Sequence, residues 1–320
     1  MKRRMLLPAL AGVAGLVLGF VVAIKLLEDD DGLHVGTPGP SLQIAFTGNH
    51  HWRDEHDDDI RVLDFDGFQT TIVKDAAHPA WSPDGRHIVF ERKTADVNGE
   101  DVEQDDIWIV DADGTGERRL THHPQEDHEP AWSPDGSKIL FVSRRAGTPD
   151  VYVMNADGSA LTRLTRNEAE DRDPAWSPDG QTVALTRNGA IWTIGADGAR
   201  PRRLANSTSR SFSEPAWSPD GRSIAFVSGD SRASEIWIMR ADGSARTPLT
   251  SDPPGIKDQR DDEPDWSPDG RWIVFERSAS IGCGCQDGIW LMDAHGRNLH
   301  QVTEGDDTDP KWRPHSRRKP

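Results

Sequence analysis

The pentapeptide Trp-Ser-Pro-Asp-Gly starts at Trp81, Trp132, Trp176, Trp217 and Trp266 of this chain, and a degenerate copy, Trp-Arg-Pro, starts at Trp312. Successive copies lie 51, 44, 41, 49 and 46 residues apart. Recurrence at such a period means one supersecondary unit packed against copies of itself, so the repeat constrains the fold before any single residue does.

Each unit reads as four strands. Pro presets φ in the motif, Asp suits the position after it, and Gly takes the left-handed conformation, which makes a tight turn. A buried strand follows, as in Ile88-Val89-Phe90, Ile139-Leu140-Phe141-Val142 or Ile224-Ala225-Phe226-Val227. A variable loop then leads to a third segment such as Ile107-Trp108-Ile109-Val110 or Ile236-Trp237-Ile238-Met239, closed by Ala-Asp-Gly or Ala-His-Gly. The last segment is short and basic-apolar, for example Arg118-Arg119-Leu120-Thr121. Four antiparallel strands of this length are what a propeller blade needs.

The ends of the array decide between an open stack and a ring. The first unit lacks its Trp strand but has the other three, near residues 42–47, 60–64 and 70–73, while the last unit has only the Trp strand, near 309–314. A missing strand at one end and a spare one of the same type at the other complete a circle, whereas an open solenoid needs polar caps. The expectation is an all-β, six-bladed β-propeller over residues 41–314, its first blade closed by strands from both termini.

The pattern Glu129-Pro130-Ala131-Trp132-Ser133-Pro134-Asp135-Gly136, followed by runs such as Ile224-Ala225-Phe226-Val227-Ser228 and Ile236-Trp237-Ile238-Met239, resembles the WD-like propeller repeats of the TolB family. The resemblance covers roughly residues 41 to 314 and implies a propeller that binds a protein partner at its channel mouth. In that family the partner is the peptidoglycan-associated lipoprotein. A TolB protein carries an α/β domain ahead of its propeller, where this sequence shows a short linker. Similar propellers also precede the hydrolase domain of the prolyl oligopeptidase superfamily, but this sequence contains no Gly-x-Ser-x-Gly elbow.

Residues 1–27 hold a stretch from Met5 to Ile24 without a charge, preceded by Lys2, Arg3 and Arg4. Twenty apolar residues suffice for a bilayer. A cleavable signal is the competing reading; Lys25-Leu26-Leu27-Glu28 in place of a small-residue cleavage site favours an uncleaved anchor. The basic flank places the N-terminus in the cytoplasm and the propeller outside, in the periplasm or on the cell surface. Residues 28–40, acidic and then Gly/Pro-rich, read as a tether, and residues 315–320 as a basic tail. The formal net charge of −17 argues against nucleic acid and for a cationic partner.

Two constellations are candidate sites. The residue before each Pro-x-Trp is His78, Glu129, Asp173, Glu214, Glu263 or Asp309, so six equivalent positions at the start of the innermost strands should ring the channel mouth. Gathered carboxylates repel unless a cation, a basic side chain or water relieves them. Each can equally serve its own blade by accepting backbone N–H bonds from a neighbouring loop. On the same face lie the long loops, which are where function sits on rigid scaffolds. Two of them carry His51, His56, His123 and His128 among many carboxylates, a plausible ligand set for a divalent cation. Trp52, in one of these loops, is a candidate ligand contact. Cys283 and Cys285 read as a local loop staple. The Asp-Gly clusters of the opposite face are turn chemistry; Gly falls in the wrong place for an EF-hand.

The reading that follows is a non-enzymatic, membrane-tethered, extracytoplasmic propeller that binds a protein, peptide or cell-envelope ligand on its acidic loop face. The alternative is a metal-dependent, lactonase-like hydrolase with a divalent ion at the channel mouth.

Overall fold

The computed structural model describes residues 43–49, 58–64, 67–94, 104–230, 232–251, 258–279 and 287–314, which contain strands, turns and connections and no helix. The expected anchor (1–27), tether (28–40) and tail (315–320), together with His51, Trp52, His56, Cys283 and Cys285, lie outside the described residues. Among the described residues no helix is long and apolar enough to cross a membrane.

The first sheet contains β1 (Gln43–Asn49), β2 (Asp58–Asp64) and β3 (Gln69–Val73). Next come β4 (Ala77–Trp81), β5 (His87–Thr94), β6 (Gln104–Asp111) and β7 (Arg118–Arg119). The third is β8 (Asp127–Trp132), β9 (Lys138–Ser143), β10 (Asp150–Asn155) and β11 (Thr162–Arg163). The fourth is β12 (Asp171–Trp176), β13 (Thr182–Arg187), β14 (Ala190–Gly195) and β15 (Arg202–Ala205). An eight-stranded sheet holds two more meanders: β16 (Ser211–Trp217), β17 (Ser223–Gly229), β18 (Ser234–Arg240) and β19 (Thr247–Pro248), then β20 (Gln259–Trp266), β21 (Trp272–Ala279), β22 (Gly288–Asp293) and β23 (His300–Gln301). A single parallel pair, Ser234 opposite Arg260, joins these two. The last strand, β24 (Thr308–Trp312), pairs antiparallel with β1 and so completes the first sheet. The innermost strands β4, β8, β12, β16, β20 and β24 contact one another in a closed circuit.

The core lies between sheets and not at the axis. The second strand of each meander carries a fully buried aromatic or aliphatic residue, Phe46, Phe90, Phe141, Leu185, Phe226 or Phe275, and six apolar clusters each join one meander to the next. The alternation of buried residues along these strands is what allows one meander to serve two neighbours.

The tight turns are built by the motif itself. Ser82 Oγ donates to Asp84 Oδ1 at 2.7 Å and accepts the His87 N–H at 2.9 Å, while Gly85, at φ +66°, donates its N–H to the Ser82 carbonyl at 2.8 Å. The same Ser-to-Asp bond recurs at Ser133, Ser177, Ser218 and Ser267.

At the other end of the second strands, arginines lock the meanders. Arg187 is bidentate to Asp171 at 2.5 and 2.9 Å, and Arg277 to Asp261 at 2.6 and 2.8 Å. Their guanidinium groups lie 4.9 Å from the Trp192 ring centroid and 4.7 Å from that of Trp290. Arg145 also stacks on a ring, that of Tyr152, but reaches both Asp127 oxygens with Nη2 alone while its Nε donates to Ser143 Oγ. Planar guanidinium suits both a carboxylate fork and an aromatic face at once.

Candidate functional site: the channel mouth

All six residues before the Pro-x-Trp motif adopt left-handed backbone conformations, with φ between 50° and 56° at His78, Glu129, Asp173, Glu214, Glu263 and Asp309. The pairing register of each innermost strand slips next to that residue, for example between Arg172 and Ala175 and between Asp262 and Asp265. This is a β-bulge: the extra residue leaves the ladder and its N–H is freed to point elsewhere.

The freed amides go to the preceding meander. Asp173 N–H donates to Glu129 Oε2 at 2.5 Å, Glu214 N–H to Asp173 Oδ2 at 3.1 Å, and Glu263 N–H to Glu214 Oε2 at 2.6 Å. Glu129 N–H donates to Glu91 Oε1, and His78 N–H to Thr47 Oγ1 at 3.2 Å. Thr47 in turn donates to Asp309 Oδ2 at 3.0 Å. Three of the carboxylates, those of Glu129, Asp173 and Glu214, thus accept the backbone N–H of the equivalent residue on the next inner strand, a run of bonds along one side of the ring.

His78, Glu129, Asp173, Glu214 and Glu263 line a central channel of about 370 Å³. Asp309 does not line it. Its carboxylate is buried against Thr47 and Thr308, with His78 Nε2 3.4 Å away. The layer beneath the ring is Ala80, Ala131, Ala175 and Ala216 on four strands, but Asp265 and Lys311 on the other two. Lys311 Nζ donates to Glu263 Oε2 at 2.9 Å, and Asp265 Oδ2 accepts the Trp312 N–H at 2.7 Å. Just beyond, Arg313 donates to the Gly85 carbonyl and lies 4.8 Å from the Trp81 ring centroid. The departures from the repeat at 265, 311 and 313 therefore meet in one place, where β24 joins the circle.

Burial and mutual repulsion shape the charge of this mouth. Burial, reinforced by the Glu129 charge, pushes Asp173 up to about 7. Glu214 is raised well above the usual carboxylate range by burial and by Glu263 and Asp173. Glu276, on β21 behind the ring, reaches about 8 through burial and the charge of Asp309. Asp265 rises to about 6 by burial, with Lys311 opposing. Glu129 goes the other way: burial would raise it, but the His128 bond at 3.1 Å and the Asp173 N–H hold it below its ordinary value. Burial would lower His78, yet Asp309 and Glu91 outweigh it and raise the imidazole well above its usual value. Lys311 is likewise raised by Glu263 and Asp265 against its burial. Such an array can hold ammonium, guanidinium or hydrogen-bond donors in a fixed geometry.

Of the histidines considered as metal ligands, His128 pairs with Glu129 and His123 Nδ1 accepts the Gln125 N–H at 3.1 Å. Among the described residues no three His, Cys, Asp or Glu side chains form a group able to hold a metal ion. Glu91, Asp265, Glu276 and Lys311 were not singled out from sequence. For Asp265 and Lys311 the signal was available, since both replace the Ala of Pro-Ala-Trp.

Comparison with known proteins places this geometry. The family model described as the TolB beta propeller domain matches residues 75–197 and 190–318. The Tol-Pal system protein TolB of Alcanivorax borkumensis is 28% identical over 117 residues, which is 35% of this chain and 25% of that protein. Dipeptidyl-peptidase 5 of Porphyromonas gingivalis is 32% identical over 69 residues, 22% of this chain and 10% of that protein. The chain thus spans only a quarter or less of the length of these two curated relatives. Among solved structures, TolB from Acinetobacter baumannii superposes with a TM-score of 0.68 at 23% identity, over 88% of this chain and 69% of that one. Putative TolB from Agrobacterium tumefaciens gives 0.61 at 21% identity, over 75% and 84%. Matched by the family model over most of its length, the chain belongs to the TolB beta propeller domain family.

Proposed function

We propose that this protein is a six-bladed, non-enzymatic binding propeller, tethered to a membrane by residues 1–27 through the linker 28–40, with its propeller outside the cytoplasm. It takes a cationic segment of a protein, peptide or envelope ligand at the channel mouth. The observation that carries this reading is the lining of one channel by His78, Glu129, Asp173, Glu214 and Glu263, held in place by the bulged backbone. A fixed group of acceptors loses little entropy on binding, and an arriving cation favours the ionised forms of the raised Asp173 and Glu214. Trp52, from its place in a long loop of the sequence, and Asp309, from the repeat register, complete the proposed contact set, Asp309 acting through His78.

The test is capture of envelope proteins by the full chain and by a variant carrying E129Q, D173N, E214Q and E263Q. Amides keep the acceptor that each neighbouring N–H needs while removing charge. Capture should disappear while the variant still folds and unfolds cooperatively; unchanged capture refutes the proposal. The hydrolase alternative rests on His51, His56, His123 and His128 with a divalent cation, and no observation favours it.

A further inference from the structure

The run of backbone bonds along the ring stops at Glu263. The carboxylates of Glu129, Asp173 and Glu214 each accept the N–H of the equivalent residue on the next inner strand, a partner that the fold holds in place. Among the described residues the Glu263 carboxylate accepts no backbone N–H, and its hydrogen-bond donor is the Lys311 ammonium, 2.9 Å from Oε2. Among the same residues Lys311 Nζ makes no other hydrogen bond.

The two kinds of partner differ in what they allow. A bulged amide cannot leave its carboxylate without disturbing the strand that carries it, whereas an ammonium on a four-carbon stem has rotatable bonds and three donors. Both side chains line the channel, with Lys311 29% and Glu263 26% exposed, so a group entering the channel reaches the pair. Nor does the repeat require a lysine here, since Ala80, Ala131, Ala175 and Ala216 hold the equivalent positions on four strands. On the remaining strand that position is Asp265, another lining residue. Against its partial burial, the charges of Glu263 and Asp265 together raise the basicity of Lys311. The ammonium thus has two carboxylates to serve, and only Glu263 belongs to the ring.

We infer that Lys311 is a built-in competitor that sets the specificity of the channel: its ammonium holds Glu263 in the free protein, and the cation of an arriving ligand takes that carboxylate while Lys311 turns to Asp265. The inference rests on the proposed reading of the channel as a cation site. A tethered group acts at an effective concentration of about millimolar. Free monovalent cations and lone amines therefore lose to Lys311, whereas a ligand that also grips the rest of the ring displaces it.

The probe is end-blocked tetralysine, titrated by calorimetry onto the full chain in non-ionic detergent at about 50 mM salt to limit screening. Lys311→Ala installs the residue that four other strands carry, and should bind the peptide about tenfold or more tighter than wild type even though it lowers stability. A lysine with a structural part alone would lose both when removed. Lys311→Gln, which keeps length without charge, should bind as tightly as Lys311→Ala. In an E263Q background Lys311→Ala should change affinity by less than about threefold, because the contested carboxylate is gone. If E129Q/D173N/E214Q/E263Q loses the peptide but Lys311→Ala binds no tighter than wild type, or its gain survives E263Q, the inference falls and the channel reading stands. Peptide that binds neither wild type nor Lys311→Ala, or that binds the quadruple variant undiminished, overturns both.

Discussion

Lys311 Nζ lies 2.9 Å from Glu263 Oε2, and the two belong to the adjacent inner strands β24 and β20. The ammonium enters a layer where four other strands offer only alanine. Removing it leaves Glu263 beside Asp265 and Glu214 without the ammonium it bonds. We expect Lys311→Ala to cost about 1–3 kcal/mol in chemical denaturation. A double-mutant cycle with Glu263→Gln should give a clear favourable coupling, and a coupling near zero would show the pair to be incidental.

Stability should fall as pH rises from about 5 to 8. Asp173 at about 7, Glu276 at about 8, and the raised Glu214 bind protons more tightly folded than unfolded. Such groups contribute stability that is fully present below the unfolded carboxylate value and lost as pH climbs through the folded one. His78 and His128, also raised, have the same sign. In the turns, Asp135 and Asp179 are lowered by bonds from Ser133 and Ser177, so their contribution is lost only in acid. Melting temperature against pH should therefore peak on the acid side of neutrality. Asp173→Asn should flatten the decline between about pH 4 and 7, the interval between its unfolded and folded values.

Arg277 is 2% exposed and Asp261 1%, so this pair has no water to fall back on. Arg277→Ala should cost about 3–5 kcal/mol, because it strands a buried carboxylate and empties the face of Trp290. Arg277→Lys keeps the charge but loses the fork, and should fall between wild type and the alanine variant. Urea denaturation of the three proteins would rank them.

The left-handed conformation at Glu214 predicts an unusual substitution order. Asn tolerates that region, whereas a β-branched residue is strained in it. Glu214→Val should be about 1–2 kcal/mol less stable than Glu214→Asn, a difference set by the backbone. Equal stabilities would mean that the bulge relaxes.

The strands and turns could be read from sequence because they depend on local chemistry. A Phe90 between β-branched neighbours and a Ser-Pro-Asp-Gly run carry their own periodicity and dihedral preferences. The acidic positions were legible as a register, but their bonding was not. Which carboxylate receives the Asp173 N–H depends on a bulge, and residues before proline are ordinarily expected to be extended. Asp309 shows the limit of register alone. It occupies the ring position by count, yet its side chain is buried against Thr47 and Thr308 and does not line the channel. Glu91 and Glu276 escaped notice because they follow the buried Phe on the second strand, a position held by Val142 and Val227 elsewhere.

The pairing of β24 with β1 also fixes a timetable. A ribosome delivers β1 first and β24 last of the described strands, so for most of translation the amide edge of β1 that β24 will cover has no partner from its own sheet. An open, apolar strand edge recruits other chains. The nascent protein is therefore most vulnerable to aggregation just before its final repeat emerges, and a holding factor that shields the first meander until then should improve its yield more than one acting on the finished ring.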